Sequence, residues 1–570
     1  MTSKKPQISI KRRFALLFFV TCLICGGLVV RLFQKSILQN NYYRALAEKQ
    51  YTVQKEIPAH RGKIYVTSAN DSELFPIATN MQFWDLLMIP KNIKNKKETA
   101  KKISPIINMS ETEIYDLINN DKPYLPPIKK KMEKEEAQKV EDLGINGVML
   151  VPDEYRYYPE NELASHIMGF VDGSKEGRYG IEGYYNDELK GQEGVSDTSQ
   201  DSLGNLISLW SQPNGKDGYD LVLTIDRVVQ YITEQKLKEA IDKFQADSGQ
   251  IIIMDPKTGK IIAMSSYPEF NPNDFAQQQD INIFNNPNTA VAYEPGSVMK
   301  IVSMSSAIDQ NAVQPETANV FESQVQVADK IIKTSTGKAY GKETMTQVLE
   351  NSDNVGMVWA VQKLGKEKLY QYFNQFGIGD KTGIDLDTEV AGNIPEFKNW
   401  WDVTFATMSF GQGLSLTPIQ VLSSISSIAN RGHLMQPYVV DKILDGSKTE
   451  TEVKPREIHQ TVSEDTADKM SQMMVSVVNS EKSQPAIVPG FQMAGKTGTA
   501  QVPDLKKGGY IEGQSNHTFV GFGPANDPKF SILVKLDNPK SSLWAEGTSA
   551  VVFGDLAKWL VSYYQLQPNQ

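Results

Sequence analysis

The stretch AYEPGSVMKIVS, residues 292–303, sets a serine and a lysine three positions apart at the start of an oily helix. Pro295 and Gly296 break the segment before it, while Val298, Met299, Ile301, Val302 and Met304 leave little room for a cation on the buried side. Residues i and i+3 of a helix share a face, so Ser297 and Lys300 point the same way. A serine hydroxyl is a weak nucleophile until a base takes its proton, and lysine is that base only when neutral. Burial in an apolar wall disfavours the ammonium form and lowers the lysine pKa. The pattern therefore reads as a nucleophile beside an amine that its surroundings keep deprotonated. The helix N-terminus adds N–H groups where an oxyanion would form.

Ser-x-x-Lys alone is a weak signal, because Ser335-Thr336-Gly337-Lys338 has the same spacing in a polar stretch with no helix behind it. Lys-Thr-Gly occurs at Lys257, Lys381 and Lys496, and only Lys496-Thr497-Gly498-Thr499 continues into strand-like residues, Ala500-Gln501-Val502. Ser-x-Asn occurs at Ser68-Ala69-Asn70 and at Ser352-Asp353-Asn354, the latter opening the helical VGMVWAVQKLG. What carries weight is the order: Ser297, then Ser352 55 residues later, then Lys496 144 residues after that, each in fitting local structure.

The remaining sequence bounds the setting. A chain of 570 residues is too long for one core. Its net charge of −9 argues against a nucleic-acid binder. Phe14–Val30 carries no charge, and extending to Phe33 gives 20 residues, enough for the ~30 Å hydrocarbon layer. A cleaved signal peptide would be shorter and closed by a small-residue site; the only nearby candidate, Ala45-Leu46-Ala47, lies too far downstream. The span reads as an anchor, with the basic residues Lys4, Lys5, Lys11, Arg12 and Arg13 in the cytoplasm and everything after Phe33 outside. Both cysteines, Cys22 and Cys25, fall inside it, which leaves the exported part without a thiol nucleophile or a disulfide. His60, His166, His433, His459 and His517 show no ligand spacing, so no metal site and no cofactor are expected.

Four segments follow from the texture: a basic tail over 1–13, an anchor over 14–33, a pedestal over 36–215 and a catalytic domain over 219–566. The pedestal is expected to open with a polar helix over Ser36–Gln54 and to hold lysine-rich helices near Lys94–Asn119 and Lys129–Leu143. Ser196–Gly218 reads as a boundary. LVLTIDRVVQ is strand then helix through Phe244, and Gly249–Met254 with Lys260–Ser265 form a hairpin on DPKTG. A helical middle spans Thr344 to about Asn430. Strands follow at FQMAGKTGTAQV, HTFVGFG and KFSILVKLD, and a last helix over Thr548–Gln565. Helices against a mainly antiparallel sheet make the catalytic domain α+β.

At these motifs the chain resembles the serine penicillin-binding proteins. It is similar above all to their class B branch and, within it, to the cell-division transpeptidase. EPGSVMK, SDNVGM, FGQGLSLTPIQ, AGKTGTAQV and HTFVGFGP carry the resemblance, as does the upstream RYYPENELASHIMGFV…GRYGIEGYYNDELKGQEG. The resemblance implies a penicillin-binding transpeptidase fold on an elongated pedestal, acting on peptidoglycan stem peptides and trapped by β-lactams. It implies that Ser297 attacks a D-Ala-D-Ala carbonyl, Lys300 takes the serine proton, and Ser352 relays a proton to the leaving amine with Lys496 close by. Asn354 would hold the substrate amide, and Thr497, Gly498 and Thr499 the terminal carboxylate side. The N–H groups of Ser297 and Thr499 would form the oxyanion hole. A membrane-embedded glycan polymerase and other division proteins are the implied partners, since the region before 215 has no room for a polymerase.

Two departures stand out. Arg61-Gly62 is followed by Lys63-Ile64-Tyr65-Val66-Thr67 where the family often has Asp-Arg, which puts pedestal contacts in doubt. The aspartate in Ser352-Asp353-Asn354 is more familiar from class A β-lactamases, where a Glu four residues before an Asn activates water. Glu389 and Asn393 have that spacing, but a plain loop is the simpler reading. A carboxypeptidase or β-lactamase, a scaffold with a vestigial site, and a side-wall elongation enzyme are the alternatives.

Overall fold

The computed structural model describes residues 10–40, 52–57, 59–69, 71–120, 122, 125–200, 206–209, 215–446, 449–480, 483–504 and 506–568. The tail before residue 10, Ala45-Leu46-Ala47, Asn70 and part of the expected boundary over 196–218 lie outside them. So does most of the polar helix expected over Ser36–Gln54. Where that helix can be seen it is corrected: Gln34–Leu38 is a single wide turn, and Thr52–Gln54 belong to the strand Thr52–Ile57. The strand Gly194–Gln200 pairs with Thr52–Ile57 in antiparallel register.

By packing, residues 1–60 and 191–217 form one compact unit and residues 61–190 and 218–570 another. The first contains the helix Ile10–Phe33 and a three-stranded antiparallel sheet of Thr52–Ile57, Gly194–Gln200 and Leu206–Leu209. The span Phe14–Leu38 contains an 18-residue stretch of mean hydropathy 2.4 and is long and apolar enough to cross a membrane. Their side chains are exposed, as a lipid-facing surface would be.

In the second unit, Ile64–Ser68 lies between Asp220–Asp226, which it pairs in parallel, and the long strand Asp71–Met88. The lysine-rich segments divide where local chemistry dictates. Asn108 closes Lys96–Ile107 in the left-handed region, and Ser110 caps Glu111–Ile118. Lys129–Met132 pairs with Asp71–Met88 as a strand, so the second helix begins only at Lys134. Glu182, 0% exposed, holds Arg156 at 2.6 Å and Arg61 at 2.6 Å. Arg61 thus has a partner without the Asp-Arg pair of the family.

The catalytic part is built on five antiparallel strands: β1 (Ser248–Met254), β2 (Ile261–Tyr267), β3 (Ala494–Pro503), β4 (Tyr510–Gly523) and β5 (Phe530–Asp537), in the order β2-β1-β5-β4-β3. Period-2 alternation sorts their side chains into two cores. Phe530, Ile532, Val534 and Leu536 join the core shared with the helices Arg227–Phe244 and Ser549–Tyr563. Leu533, Val520 and Phe522 face the other way, into the core of the helices Lys300–Asp309, Pro418–Ala429 and Glu464–Asn479. The strand β3 lies at the sheet edge, beside the Ser297 turn.

Candidate active site

The turn carrying Ser297 is tighter than an α-helix. Gly296–Met299 is 3-10 and passes directly into the helix Lys300–Asp309. Lys300, the first residue of that helix, follows Ser297 by one turn on the same face. Val298, Met299, Ile301, Val302 and Met304 are all buried, and Lys300 is 0% exposed. The lysine is therefore inside, as the oily setting of the motif predicts.

Two glycines let β3 lie against this turn. Gly296 has φ +62, a conformation that side chains resist, and its backbone N–H donates to the carbonyl of Gly411 at 3.1 Å. A Cβ on Gly498 would come within 2.8 Å of the Pro295 carbonyl oxygen. Alternation along β3 then points Lys496 and Gly498 toward the serine turn, while Thr497 and Thr499 meet the segment Ala545–Gly547.

Lys300 Nζ donates to the Ser352 carbonyl at 2.6 Å and to Asn354 Oδ1 at 2.8 Å, and lies 3.2 Å from Ser352 Oγ. Lys496, 1% exposed, reaches the same Ser352 hydroxyl at 3.1 Å and the Thr497 carbonyl at 3.1 Å. One hydroxyl is thus held between two buried amines. Like charges so placed disfavour each other, which favours at least one neutral lysine. Ser352 adopts φ 53, a left-handed backbone that costs a non-glycine residue ~1–2 kcal/mol. The surrounding contacts fix it there: Asp353 caps the helix Asn354–Leu364 by accepting from Val355 and Gly356, at 2.8 and 3.0 Å. The aspartate in Ser-Asp-Asn is accordingly a helix cap. Asn354 holds Lys300 with its oxygen and donates its amide to the Lys333 carbonyl at 3.1 Å.

Residues 249–558 match the penicillin-binding protein transpeptidase domain, and residues 56–223 the penicillin-binding protein dimerisation domain. The chain is 32% identical over 565 residues to stage V sporulation protein D of Bacillus subtilis, covering 97% of this chain and 86% of that protein. The chain belongs to the penicillin-binding protein family. It is also 28% identical over 577 residues to the peptidoglycan D,D-transpeptidase FtsI of Buchnera aphidicola, covering 99% of this chain and 97% of that one. Among solved structures it is similar to penicillin-binding protein 3 of Mycobacterium tuberculosis in complex with aztreonam. The TM-score is 0.71 at 26% identity, over 90% of this chain and 98% of that one.

The motif repeats elsewhere in this penicillin-binding protein have other employment. Lys257 is in the hairpin turn and pairs with Asp527. Lys381 is exposed in a loop, and Ser335–Lys338 forms a turn after the strand Lys330–Lys333. Ser68 Oγ meets Tyr563 OH at 3.0 Å. Glu389 accepts from the Thr382 N–H and hydroxyl at 2.7 and 2.6 Å and from the Gly383 N–H at 3.0 Å, bracing its own loop. Asn393 pairs through its backbone with Ser415.

Three residues at the site escape motif reading. Glu294 accepts from the Gly413 N–H at 3.0 Å and the Tyr510 hydroxyl at 3.1 Å, and burial pushes its carboxyl above the usual range. His517, across the sheet from Thr499, bonds Thr548 through Nδ1 at 2.8 Å and Ser515 through Nε2 at 3.1 Å; burial holds its pKa down to about 4. Glu546 accepts from the Thr497 hydroxyl at 3.2 Å. Glu294 is three residues before Ser297 and proximity alone could have flagged it. His517 and Glu546 give no signal until the sheet is assembled.

Proposed function

We propose that the protein is a membrane-anchored peptidoglycan D,D-transpeptidase working through a serine acyl-enzyme at the division septum. The observation that carries this reading is the Ser352 hydroxyl held between Lys496 and Lys300, the latter one helical turn from Ser297. Neutral Lys300 takes the Ser297 proton as Oγ attacks the carbonyl of the penultimate D-Ala. The oxyanion is met by N–H groups of Ser297 and Thr499. The proton passes by way of Ser352 to the departing amine, and the C–N bond to the terminal D-Ala breaks. The acyl-enzyme then meets an amine of a neighbouring stem peptide. That amine loses its proton to the lysine pair and displaces Ser297, forming the cross-link and restoring the hydroxyl. A β-lactam enters the first step, but its opened ring stays tethered and blocks the second.

The apolar span Phe14–Leu38 supports anchoring, with the basic residues before it on the cytoplasmic side and the catalytic part outside. The septal setting rests on the phrases shared with cell-division transpeptidases, and a membrane-embedded glycan polymerase is the partner it needs. A second reading, a role in sporulation, is favoured by the likeness to the Bacillus protein. The full-length chain in detergent, given donor and acceptor stem peptides, should release D-Ala and yield cross-linked dimers by mass spectrometry. Trimmed monomer alone, sensitive to Glu389→Ala, would mark a hydrolase instead. A tagged copy should gather at the septum of growing cells; signal only in sporulating cells would favour the second reading.

A further inference from the structure

The geometry points to Glu546 as a specificity residue that disfavours a negative charge on the ligand beside Thr497. This rests on the catalytic reading above, in which Thr497 and Thr499 face the terminal carboxylate of the substrate. The two threonines are not equivalent. Thr499 Oγ1 accepts from the Ala545 N–H at 3.1 Å, so its own O–H remains available to donate to a ligand. Thr497 Oγ1 accepts from Lys496 at 3.4 Å and donates to Glu546 Oε1 at 3.2 Å. A hydroxyl has one hydrogen, and that of Thr497 is turned to Glu546. What remains toward the cleft is a lone pair, which suits a donor and not a carboxylate.

The second observation is the other carboxylate oxygen. Glu546 Oε2 is buried and has no hydrogen-bond partner among the described residues. A buried anionic oxygen without a donor is costly, and it draws cations and repels anions nearby. The turn that carries it is fixed at both ends. Ala545 is tied to Thr499, and Thr548, which follows the turn, is tied to His517. Glu546 is therefore held beside the carboxylate-binding side of the cleft, where it subtracts from the positive field of Lys496.

Anionic ligands are thus accepted through Thr499 and against Glu546, and β-lactams, which carry a carboxylate, acylate more slowly than the lysine pair alone would allow. The test compares benzylpenicillin with its uncharged methyl ester on the full-length protein. Second-order acylation rates are measured for the wild type, Glu546→Gln and Glu546→Ala, with Ser297→Ala as control. Both Glu546 variants should raise the benzylpenicillin rate at least about tenfold, the effect of removing one like charge at short range, and leave the ester rate within about twofold. Equal changes for the two probes, or no change in their ratio, would overturn the inference. Covalent labelling of Ser297→Ala by either probe would instead overturn the catalytic reading on which it rests.

Discussion

The side-chain nitrogen of Lys496 lies 3.1 Å from the hydroxyl of Ser352, across 144 residues of sequence. This contact joins the edge strand to the helical half of the domain. It places Ser352 where Lys300 also reaches it, at 3.2 Å. The hydroxyl is thus within reach of both amines, as the proposed proton relay requires.

Ser352 holds a left-handed backbone that glycine adopts freely. Ser352→Gly should fold with stability within about 1 kcal/mol of the wild type, because relief of strain offsets the lost contacts. Its acylation by penicillin should still fall at least ~10²-fold, as expected for loss of a proton relay. Urea unfolding and stopped-flow labelling on the same preparation check both halves. A variant that acylates normally would remove Ser352 from the mechanism.

Ser297→Ala should abolish covalent labelling by a fluorescent penicillin without changing the melting temperature. The side chain is only half-buried, and an alanine there opens no large cavity. Labelling that persists would locate the nucleophile elsewhere, with Ser335 the first residue to examine.

Much of this was legible in the sequence, for identifiable reasons. The hairpin on DPKTG, the helix through Phe244 and the edge strand bearing Lys496 follow from local patterns, and each appears with its ends within a few residues. The helical reading of Lys129–Met132 failed because pairing with the strand Asp71–Met88 outweighs the propensity of lysine. Glu546 and His517 were invisible for a different reason. Their partners Thr497 and Thr548 are distant in sequence, and only the packing of the Ala545–Gly547 turn against the sheet brings them together.

Glu182 is fully buried between Arg61 and Arg156. Removing it strands two guanidinium groups in the interior, so Glu182→Ala should cost about 3–5 kcal/mol in chemical denaturation. A loss under about 1 kcal/mol would mean that water reaches the arginines and that the triad does not hold this region.

His517 is neutral in the fold, with its pKa held near 4 against an ordinary 6.5. The folded value lies below the unfolded one. Its contribution to stability is therefore fully present above about pH 6.5 and is lost as pH falls toward 4. Glu234, which burial raises to about 7, acts with the opposite sign over an overlapping range. The useful quantity is thus the difference between wild type and His517→Gln. The wild type's advantage should shrink by about 1–3 kcal/mol between pH 7 and pH 4. A difference that stays constant with pH would show that His517 is not the group responsible.

In the proposed mechanism Lys300 is the base for Ser297. The most direct measurement is the second-order rate of Ser297 acylation by benzylpenicillin in Lys300→Ala, followed by intact-protein mass. The rate should fall at least ~10²-fold while the protein stays folded. Acylation of Ser297 at the wild-type rate would contradict the proton route and, with it, the reason for burying an amine at this position.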